Sequence, residues 1–295
     1  MILRIKNSIK IAITIVTSLI CMGSSSLEVN NTINILMPSS FYDSTKELIK
    51  KYNDSSKFNI RVTKGPLETE SVSDLAISSL LLDHSPYDII LMDLTWLPKY
   101  AEADWLFPLD NLIDKRKWNN LEKGAKKGNI YKDKIYRWPF VADMGLLYWR
   151  TDLINKPPET NDELVLMAED AVKNKRVKYG YLWQGKQYEG LSCVYYEVLK
   201  GFGGEWTSLD GKVLLNSEES VKAAEWLRKL IAKGLTPKSI SNFTENETLQ
   251  AFKNGDSLFM RNWPYAWAEL QKESSKVKGK VGISKIVSEK GIEST

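Results

Sequence analysis

Histidine and cysteine are almost absent from this chain, and their scarcity limits the chemistry that it can perform. Its 295 residues include one histidine, His84, and two cysteines, Cys21 and Cys193. A histidine-rich zinc site cannot be assembled from so few ligands, and the sequence contains neither an H-E-x-x-H nor a G-x-S-x-G motif. We therefore predict a protein that is not an enzyme and has no catalytic residues, cofactor or metal, with His84 in a solvated loop.

Long apolar runs are also missing, apart from a short one near the N-terminus. Residues 11–20 are mostly apolar, follow several basic residues and precede the small residues at 23–26. This order is typical of a secretory signal peptide, and the run is too short to span a bilayer, which takes about 20 residues. We predict a signal peptide over residues 1–26 and an exported protein of the periplasm or cell envelope. A buried N-terminal helix is the alternative.

The two cysteines are not predicted to form a disulfide. Cys21 stands at the end of the predicted signal, where bacterial lipoproteins carry a lipidated cysteine, but Ile20 precedes it instead of the usual small residue. A lipid anchor at Cys21 is therefore an alternative to cleavage after it. If Cys21 is removed, Cys193 has no partner in the chain, and its apolar helical surroundings predict a buried thiol.

An excess of charge of one sign is also lacking once the signal is removed. The full chain has 41 basic and 37 acidic residues, a net charge of +4. Removal of Arg4, Lys6 and Lys10 leaves 38 basic against 37 acidic residues, or +1. Such a balance gives no reason to expect a nucleic-acid partner. The length favours about two domains of roughly 150 residues.

Strand and helix patterns alternate along the mature chain. Repeated strand–helix–strand units predict an α/β fold with a mostly parallel sheet, in which ligands bind at the carboxyl ends of strands. The predicted strands cover residues 33–37, 58–63, 87–92 and 179–183, and the predicted helices cover 44–52, 72–83, 160–173 and 188–200. Capping boxes at Thr160 and Thr244 mark two helix starts, Asn216 is the predicted cap of a third, and Asp210 and Gly211 predict a tight turn.

Aromatic residues, by contrast, are abundant, and several lie near carboxylates. The chain has 10 tryptophans and 13 tyrosines; Asp93 precedes Trp96, Asp143 follows an aromatic cluster, and Trp263 and Tyr265 form another. Aromatic rings suit the apolar faces of a sugar, and carboxylates accept hydrogen bonds from its hydroxyl rim. These five residues are the predicted ligand-binding residues, although from composition alone each ring is more often part of a core than of a ligand site.

At these positions the sequence resembles the extracellular solute-binding proteins of sugar ABC importers, family one, and within them the trehalose/maltose-binding proteins. The strongest matching stretches are Trp-Gln-Gly-Lys-Gln-Tyr-Glu-Gly-Leu at 183–191 and Arg-Asn-Trp-Pro-Tyr-Ala-Trp at 261–267. Other matching stretches lie at 91–96, 103–110, 143–150, 156–160 and 278–282. The resemblance covers about residues 33–282, nearly all of the mature chain.

The resemblance implies a two-lobed periplasmic-binding-protein fold, type II-like, that closes on a sugar by a hinge and presents it to the permease subunits of an ABC transporter. It implies that Asp93 and Asp143 bind hydroxyls, that Trp263 and Tyr265 line the cleft, and that residues 183–189 lie near it. Two crossings, at 138–143 and 259–265, predict lobe 1 over 27–140 plus 264–295 and lobe 2 over 143–260. We expect a monomer.

The sequence departs from the family pattern at Pro38-Ser39-Ser40, at Val72-Ser73 and at its end. Relatives continue well beyond Thr295, so we expect a C-terminally truncated chain in which the second lobe is incomplete, melts first and binds sugar more weakly. The predicted ligand is a disaccharide or related glycoside of the trehalose, maltose, sucrose or glucosylglycerol type. Two alternatives stay open: a secreted glycoside hydrolase, since paired carboxylates also serve glycosidases, and a non-functional remnant.

Overall fold

The computed structural model describes residues 31–66, 69–82 and 85–293, so the predicted signal peptide, Cys21 and His84 lie outside the described residues. The chain forms two compact units, Met1–Phe107 and Pro108–Thr295, which we call the first and second units. The predicted α/β class is confirmed in both units, because strands and helices alternate in each.

The first unit contains a three-stranded parallel sheet in the order β2-β1-β3. Its strands are β1 (Thr32–Pro38), β2 (Asn59–Gly65) and β3 (Ile89–Ile90), and its helices are α1 (Ser39–Ser55), α2 (Thr69–Leu80) and α3 (Leu97–Glu102). Helices connect the parallel strands, as such a sheet requires. The core is built from Leu36 on β1, Val72 and Ala76 on α2 and Tyr100 on α3, all fully buried.

Two predicted elements of the first unit differ in length by several residues from those observed. The strand predicted at 87–92 pairs with β1 only at Ile89 and Ile90. The helix predicted at 44–52 begins earlier, at Ser39, directly after Pro38. Proline at this N-cap has an extended backbone, with φ of −56° and ψ of 148°, so the chain can pass from β1 into α1 without a loop.

The second unit begins with short elements that are held together by local hydrogen bonds. They are α4 (Lys115–Asn119), α5 (Lys123–Lys127), β4 (Ile130–Tyr131) and β5 (Lys134–Ile135), the last two forming an antiparallel pair. The Asp114 carboxylate caps α4 by accepting the backbone N–H of Arg116 at 2.8 Å. Trp118 on α4 is buried, with its ring centroid 6.0 Å from that of Trp138.

The main sheet of the second unit has four strands in the order β7-β8-β6-β9. Strand β8 runs parallel to β7 and antiparallel to β6, which pairs antiparallel with β9. The strands are β6 (Leu146–Arg150), β7 (Tyr179–Leu182), β8 (Ser257–Asn262) and β9 (Val281–Ser284). The helices are α6 (Asn161–Lys173), α7 (Glu189–Gly201), α8 (Glu218–Ala232), α9 (Glu245–Lys253) and α10 (Ala266–Leu270).

Apolar side chains cover both faces of this sheet. Because successive side chains of a strand point to opposite faces, Phe259 packs in the larger core cluster and Met260 in the smaller one. The same alternation places Leu147 in the larger cluster and Tyr148 in the smaller. All six residues of β8 are buried, as expected for a central strand covered on both sides.

Two of the three predicted helix caps differ from those observed. Thr244 forms the predicted capping box with Glu247, whose carboxylate accepts the Thr244 N–H at 2.8 Å. Thr160 caps α6 by accepting the Glu163 N–H at 3.2 Å, but the Glu163 carboxylate accepts the Glu159 N–H at 2.8 Å, so the predicted capping box at Thr160 is only half formed. The prediction of Asn216 as the cap of α8 is wrong, because the hydroxyl of the next residue, Ser217, accepts the N–H of Ser220.

The division of the chain differs from the predicted lobe boundaries at two places. The boundary between the two units falls between Phe107 and Pro108 in the sequence, whereas the first part of lobe 1 was predicted to end at residue 140. Residues 264–295, predicted to return to lobe 1, belong to the second unit, because β9 pairs along β6 from Val281 to Ser284. The segment 259–265 begins within β8, the strand between β7 and β6, and its role as a crossing between lobes stays a prediction.

Candidate functional site

The candidate site in the second unit is built around the C-terminal end of β8. The alternation of side chains along the strand places Phe259, Arg261 and Trp263 toward one side and Met260 and Asn262 toward the other. The strand pattern ends at Asn262, whose side-chain oxygen accepts the backbone N–H of Trp263 at 2.8 Å. The chain then turns into α10. Trp263 therefore lies just after a fully buried strand, and Trp263 itself is partly exposed.

Arg261 is a fully buried charge, with 0% exposure. Its guanidinium donates two hydrogen bonds to the carboxylate of Glu197 on α7, one of them from Nε to Oε2 at 2.9 Å. A third goes from Nη1 to the Gln184 Oε1 at 3.0 Å. Burial alone would lower the pKa of Arg261, but the neighbouring carboxylate of Glu197 outweighs it and raises that pKa. The arginine is therefore charged and held in one orientation.

Gln184 connects this ion pair to α9. Its side chain is fully buried, and Nε2 donates to Thr248 Oγ1 at 2.9 Å and to the Arg261 carbonyl at 3.1 Å. The amide of Asn262 also donates to Thr248 Oγ1, at 3.2 Å. These polar groups satisfy one another in the interior, as buried polar groups must if they are not to cost stability.

The Trp263 ring is fixed on one face and at its edge. The guanidinium carbon of Arg261 lies 3.7 Å from the ring centroid, a close cation–π contact. The indole Nε1–H donates to Glu245 Oε1 at 3.0 Å, and the Trp263 carbonyl accepts the Tyr148 hydroxyl at 2.8 Å. A partly exposed aromatic ring held this firmly is suited to stacking against a ligand.

The charge of Asp143 acts on Tyr265 and on Tyr148, whose hydroxyl donates to the Trp263 carbonyl. Burial, the larger effect, raises the pKa of Tyr148 and of Tyr265, and the negative charge of Asp143 raises both further. Asp143 is exposed and accepts the backbone N–H of Met144 at 3.0 Å. Three of the five predicted site residues, Asp143, Trp263 and Tyr265, belong to the second unit, and their shared ligand-binding role stays a prediction.

The other two predicted site residues, Asp93 and Trp96, belong to the first unit. Asp93 caps the 3₁₀ turn Leu94–Trp96 by accepting the Thr95 N–H at 3.2 Å. Trp96 stacks on Tyr100, with ring centroids 5.9 Å apart and planes 18° apart. Each residue thus has a local structural role, and its ligand-binding role stays a prediction.

The stretch 183–189, predicted to lie near a cleft, supplies core and network residues. Trp183 is 4% exposed and packs in the larger core cluster of the second unit, and Gln184 joins the Arg261 network. Sequence reasoning missed Glu197, although a signal was present. Glu197 stands between the buried residues Val194 and Val198 on α7, and a carboxylate so placed needs a charged partner.

The described part of the chain has neither a membrane-spanning helix nor a metal-binding cluster. No helix among residues 31–66, 69–82 and 85–293 is long and apolar enough to cross a bilayer. Within the same residues, no three histidine, cysteine, aspartate or glutamate side chains are grouped so that they could hold a metal ion.

Comparison with known protein families identifies the class of this protein. Residues 39–292 match the model of the bacterial extracellular solute-binding proteins, and the chain belongs to that family. A probable ABC transporter-binding protein of Deinococcus radiodurans is 30% identical over 253 residues, which are 82% of this chain and 60% of that protein. A maltotriose-binding protein of Pyrococcus abyssi is 25% identical over 182 residues, 61% of this chain and 38% of that protein.

Solved structures agree with this assignment. The maltose-bound MalE3 of T. maritima superimposes with a TM-score of 0.79 and 28% identity, covering 90% of this chain and 69% of that one. The GacH receptor of Streptomyces glaucescens, at 19% identity and a TM-score of 0.74, supports the fold. The predicted family and binding-protein fold are confirmed, and the family and these relatives are binding proteins, not enzymes. The chain spans about 60% of the length of the Deinococcus relative.

Proposed function

We propose that this protein is the substrate-binding component of an ABC sugar importer. The observation that carries the proposal is Trp263, a partly exposed ring with one face on Arg261 and its edge bonded to Glu245. The charge of the Asp143 carboxylate acts on Tyr148, whose hydroxyl donates to the Trp263 carbonyl at 2.8 Å. A ring for stacking and a carboxylate for hydroxyls are the two elements that sugar recognition requires.

The proposed ligand is a disaccharide or related glycoside of the trehalose, maltose, sucrose or glucosylglycerol type. Support comes from the 28% identity with a protein solved with maltose and the 25% identity with a maltotriose-binding protein. Hydrogen bonds to a charged group contribute about 1.5–3 kcal/mol each, so two carboxylates and two stacked rings suffice for micromolar affinity, which corresponds to about 8 kcal/mol.

The rest of the predicted site and the biological setting extend this proposal. Asp93 and Trp96, which belong to the first unit, are also proposed as ligand-binding residues. The partner is the permease pair of an ABC transporter in the membrane, to which a monomeric receptor presents the sugar-bound form. The setting is outside the cytoplasmic membrane after removal of residues 1–26, with a lipid anchor at Cys21 as an alternative.

A thermal-melt panel tests the proposal. A ligand present at 100 times its dissociation constant stabilises a folded protein by about 2.7 kcal/mol, so 1 mM of the correct sugar should raise the melting temperature by about 5–10 °C. We expect this shift with at least one of maltose, trehalose, sucrose and glucosylglycerol. We expect it to disappear in Asp143→Asn and in Trp263→Ala.

The matched control is Asp162→Asn, an exposed carboxylate on α6 that should leave the sugar-dependent shift unchanged. The same sugars are analysed for released glucose, because a receptor returns its ligand intact. The absence of any shift with all four sugars in a folded protein, or glucose release above a protein-free blank, would reject the proposal.

A further inference from the structure

The strongest unexplained feature of the second unit is a buried arginine placed against the aromatic ring of the proposed site. The guanidinium carbon of Arg261 lies 3.7 Å from the Trp263 ring centroid, and Arg261 itself is fully buried. We infer that Arg261 is a positioning residue, which holds Trp263 as a platform with a single face for the ligand. This inference rests on the proposed sugar-binding function and explains what holds the stacking surface of Trp263 in place.

The position of Arg261 is fixed by two groups from distant parts of the chain. Glu197 accepts two hydrogen bonds from the guanidinium, and Gln184 accepts a third at 3.0 Å. Gly145 makes this arrangement possible, because a Cβ built there would lie 2.6 Å from the Glu197 Cδ, a distance that real Cβ atoms do not reach. The backbone just after Asp143 therefore gives the Glu197 carboxylate the space it needs to pair with Arg261.

The ring, in turn, has few ways to move. Arg261 covers one face, Glu245 holds the indole N–H at 3.0 Å, and the backbone of Trp263 is bonded on both sides by Asn262 and Tyr148. A planar guanidinium stacks on an aromatic face, whereas a lysine ammonium offers a point charge without a plane. The ligand can therefore stack only on the face opposite Arg261, and its affinity depends on a ring already in place before binding.

A purely structural role for the ion pair is the competing explanation. Breaking a buried pair by removing one partner destabilises a protein, but removing both charges is often neutral. The double variant Arg261→Met, Glu197→Gln therefore removes the guanidinium from the ring without leaving a buried charge unpaired. Arg261→Lys keeps the charge beside Glu197 and removes the planar contact, so it serves as the second variant if the first does not fold.

The experiment is ¹⁹F NMR of the full chain labelled with 5-fluorotryptophan, with Trp263→Phe assigning the Trp263 resonance. Without any sugar, both the double variant and Arg261→Lys should shift and narrow that resonance, since the ring loses its stacked partner. Arg150→Lys is the matched control, a buried arginine paired with Asp152 in the same sheet, and it should leave the Trp263 resonance unchanged. Maltose affinity, measured on the same samples, should fall about tenfold in the first two variants.

The outcomes separate this inference from the proposed function. An unchanged Trp263 resonance in folded variants would overturn it, and so would a changed resonance with unchanged maltose affinity. If the unmodified protein does not bind maltose or the other three sugars, the proposed function fails, and with it the role given to the platform. The sugar-free spectra would still report whether Arg261 positions the ring.

Discussion

The substitution Gly145→Ala is the sharpest structural test of the network behind Trp263. A Cβ at this position would lie 2.6 Å from both Cδ and Oε2 of Glu197 and closer still to Oε1. The φ of Gly145 is not in the left-handed region, so alanine meets no backbone strain there. Any effect must come from displacement of the Glu197 carboxylate.

The expected magnitude follows from the partner of that carboxylate. Arg261 is 0% exposed, and its charge is balanced by Glu197. Leaving one member of a buried pair unpaired costs about 3–5 kcal/mol. Partial retention of the pair after a small shift would reduce this, so we expect the free energy of unfolding to fall by about 3 kcal/mol. At about 2–4 °C per kcal/mol for a domain of this size, the melting temperature should fall by roughly 6–12 °C.

Urea unfolding and thermal melts of four variants, Gly145→Ala, Gly124→Ala, Glu197→Ala and the Gly145→Ala, Glu197→Ala double variant, measure the effect. Gly124→Ala is the control, since a Cβ there meets nothing within 4 Å and Gly124 lies within α5; alanine should be neutral or stabilise by up to about 1 kcal/mol. In a Glu197→Ala background, Gly145→Ala should cost less than about 1 kcal/mol, because the two sites are directly coupled. A loss below about 1 kcal/mol in the unmodified background would refute the reasoning.

Three further predictions address other parts of the second unit. The hydrogen bond from the Arg150 guanidinium is the main cause that lowers the pKa of Asp152, so the stability that Asp152 contributes is present above the unfolded pKa of about 3.9 and is lost as the pH falls through the lower folded pKa. The free energy of unfolding, measured in urea at pH 6 and pH 3, should therefore change less with pH in Asp152→Asn than in the unmodified chain. An equal change in both proteins would contradict this prediction. Leu164→Ala should lower the free energy of unfolding by about 2–5 kcal/mol, since Leu164 is 0% exposed. Leu166→Ala on the same helix should change it by less than about 1 kcal/mol, since Leu166 is 64% exposed. Equal losses in the two variants would mean that α6 packs by another face. Tyr265→Phe should maintain or raise the melting temperature, because the buried Tyr265 hydroxyl has no hydrogen-bond partner among the described residues. A buried polar group without a partner lowers stability by about 1–3 kcal/mol. A clear fall in melting temperature would show that the hydroxyl does have a hydrogen-bond partner.

Local elements were predictable because their signals are local. The capping box at Thr244 with Glu247 marks the start of α9 by hydrogen bonds that span three residues. The turn at Asp210 and Gly211 is closed by the Ser208 N–H donating to the Lys212 carbonyl at 2.9 Å. The cap of α8 was missed by one residue, since Asn216 and Ser217 are both good cap residues and only the backbone geometry decides between them.

The long-range arrangement could not be predicted in the same way. The pairing of β9 with β6 joins residues more than 130 positions apart, and no local pattern specifies it, so the sequence could not place residues 264–295 beside β6. The apolar run before the aromatic and proline residues at 259–265 was predicted as a strand, but not its central position in the sheet.

The residues of the candidate site also differ in how far they could be predicted from the sequence. Asp143, Trp263 and Tyr265 could be selected from the sequence, because carboxylates and aromatic rings have a recognisable chemistry with sugars. The pairing of Glu197 and Gln184 with Arg261 could not be predicted, since these residues meet only through folding, across 64 and 77 residues. A buried charged residue in an apolar strand predicts a partner without naming it.

Isothermal titration calorimetry of the full chain with maltose, trehalose, sucrose and glucosylglycerol tests the central claim most directly. We predict saturable heat with one or more of these sugars, a dissociation constant in the micromolar range, and loss of that heat in Trp263→Ala. A folded protein that gives no saturable heat with any of the four, or a Trp263→Ala variant that binds as tightly as the unmodified chain, would contradict the account.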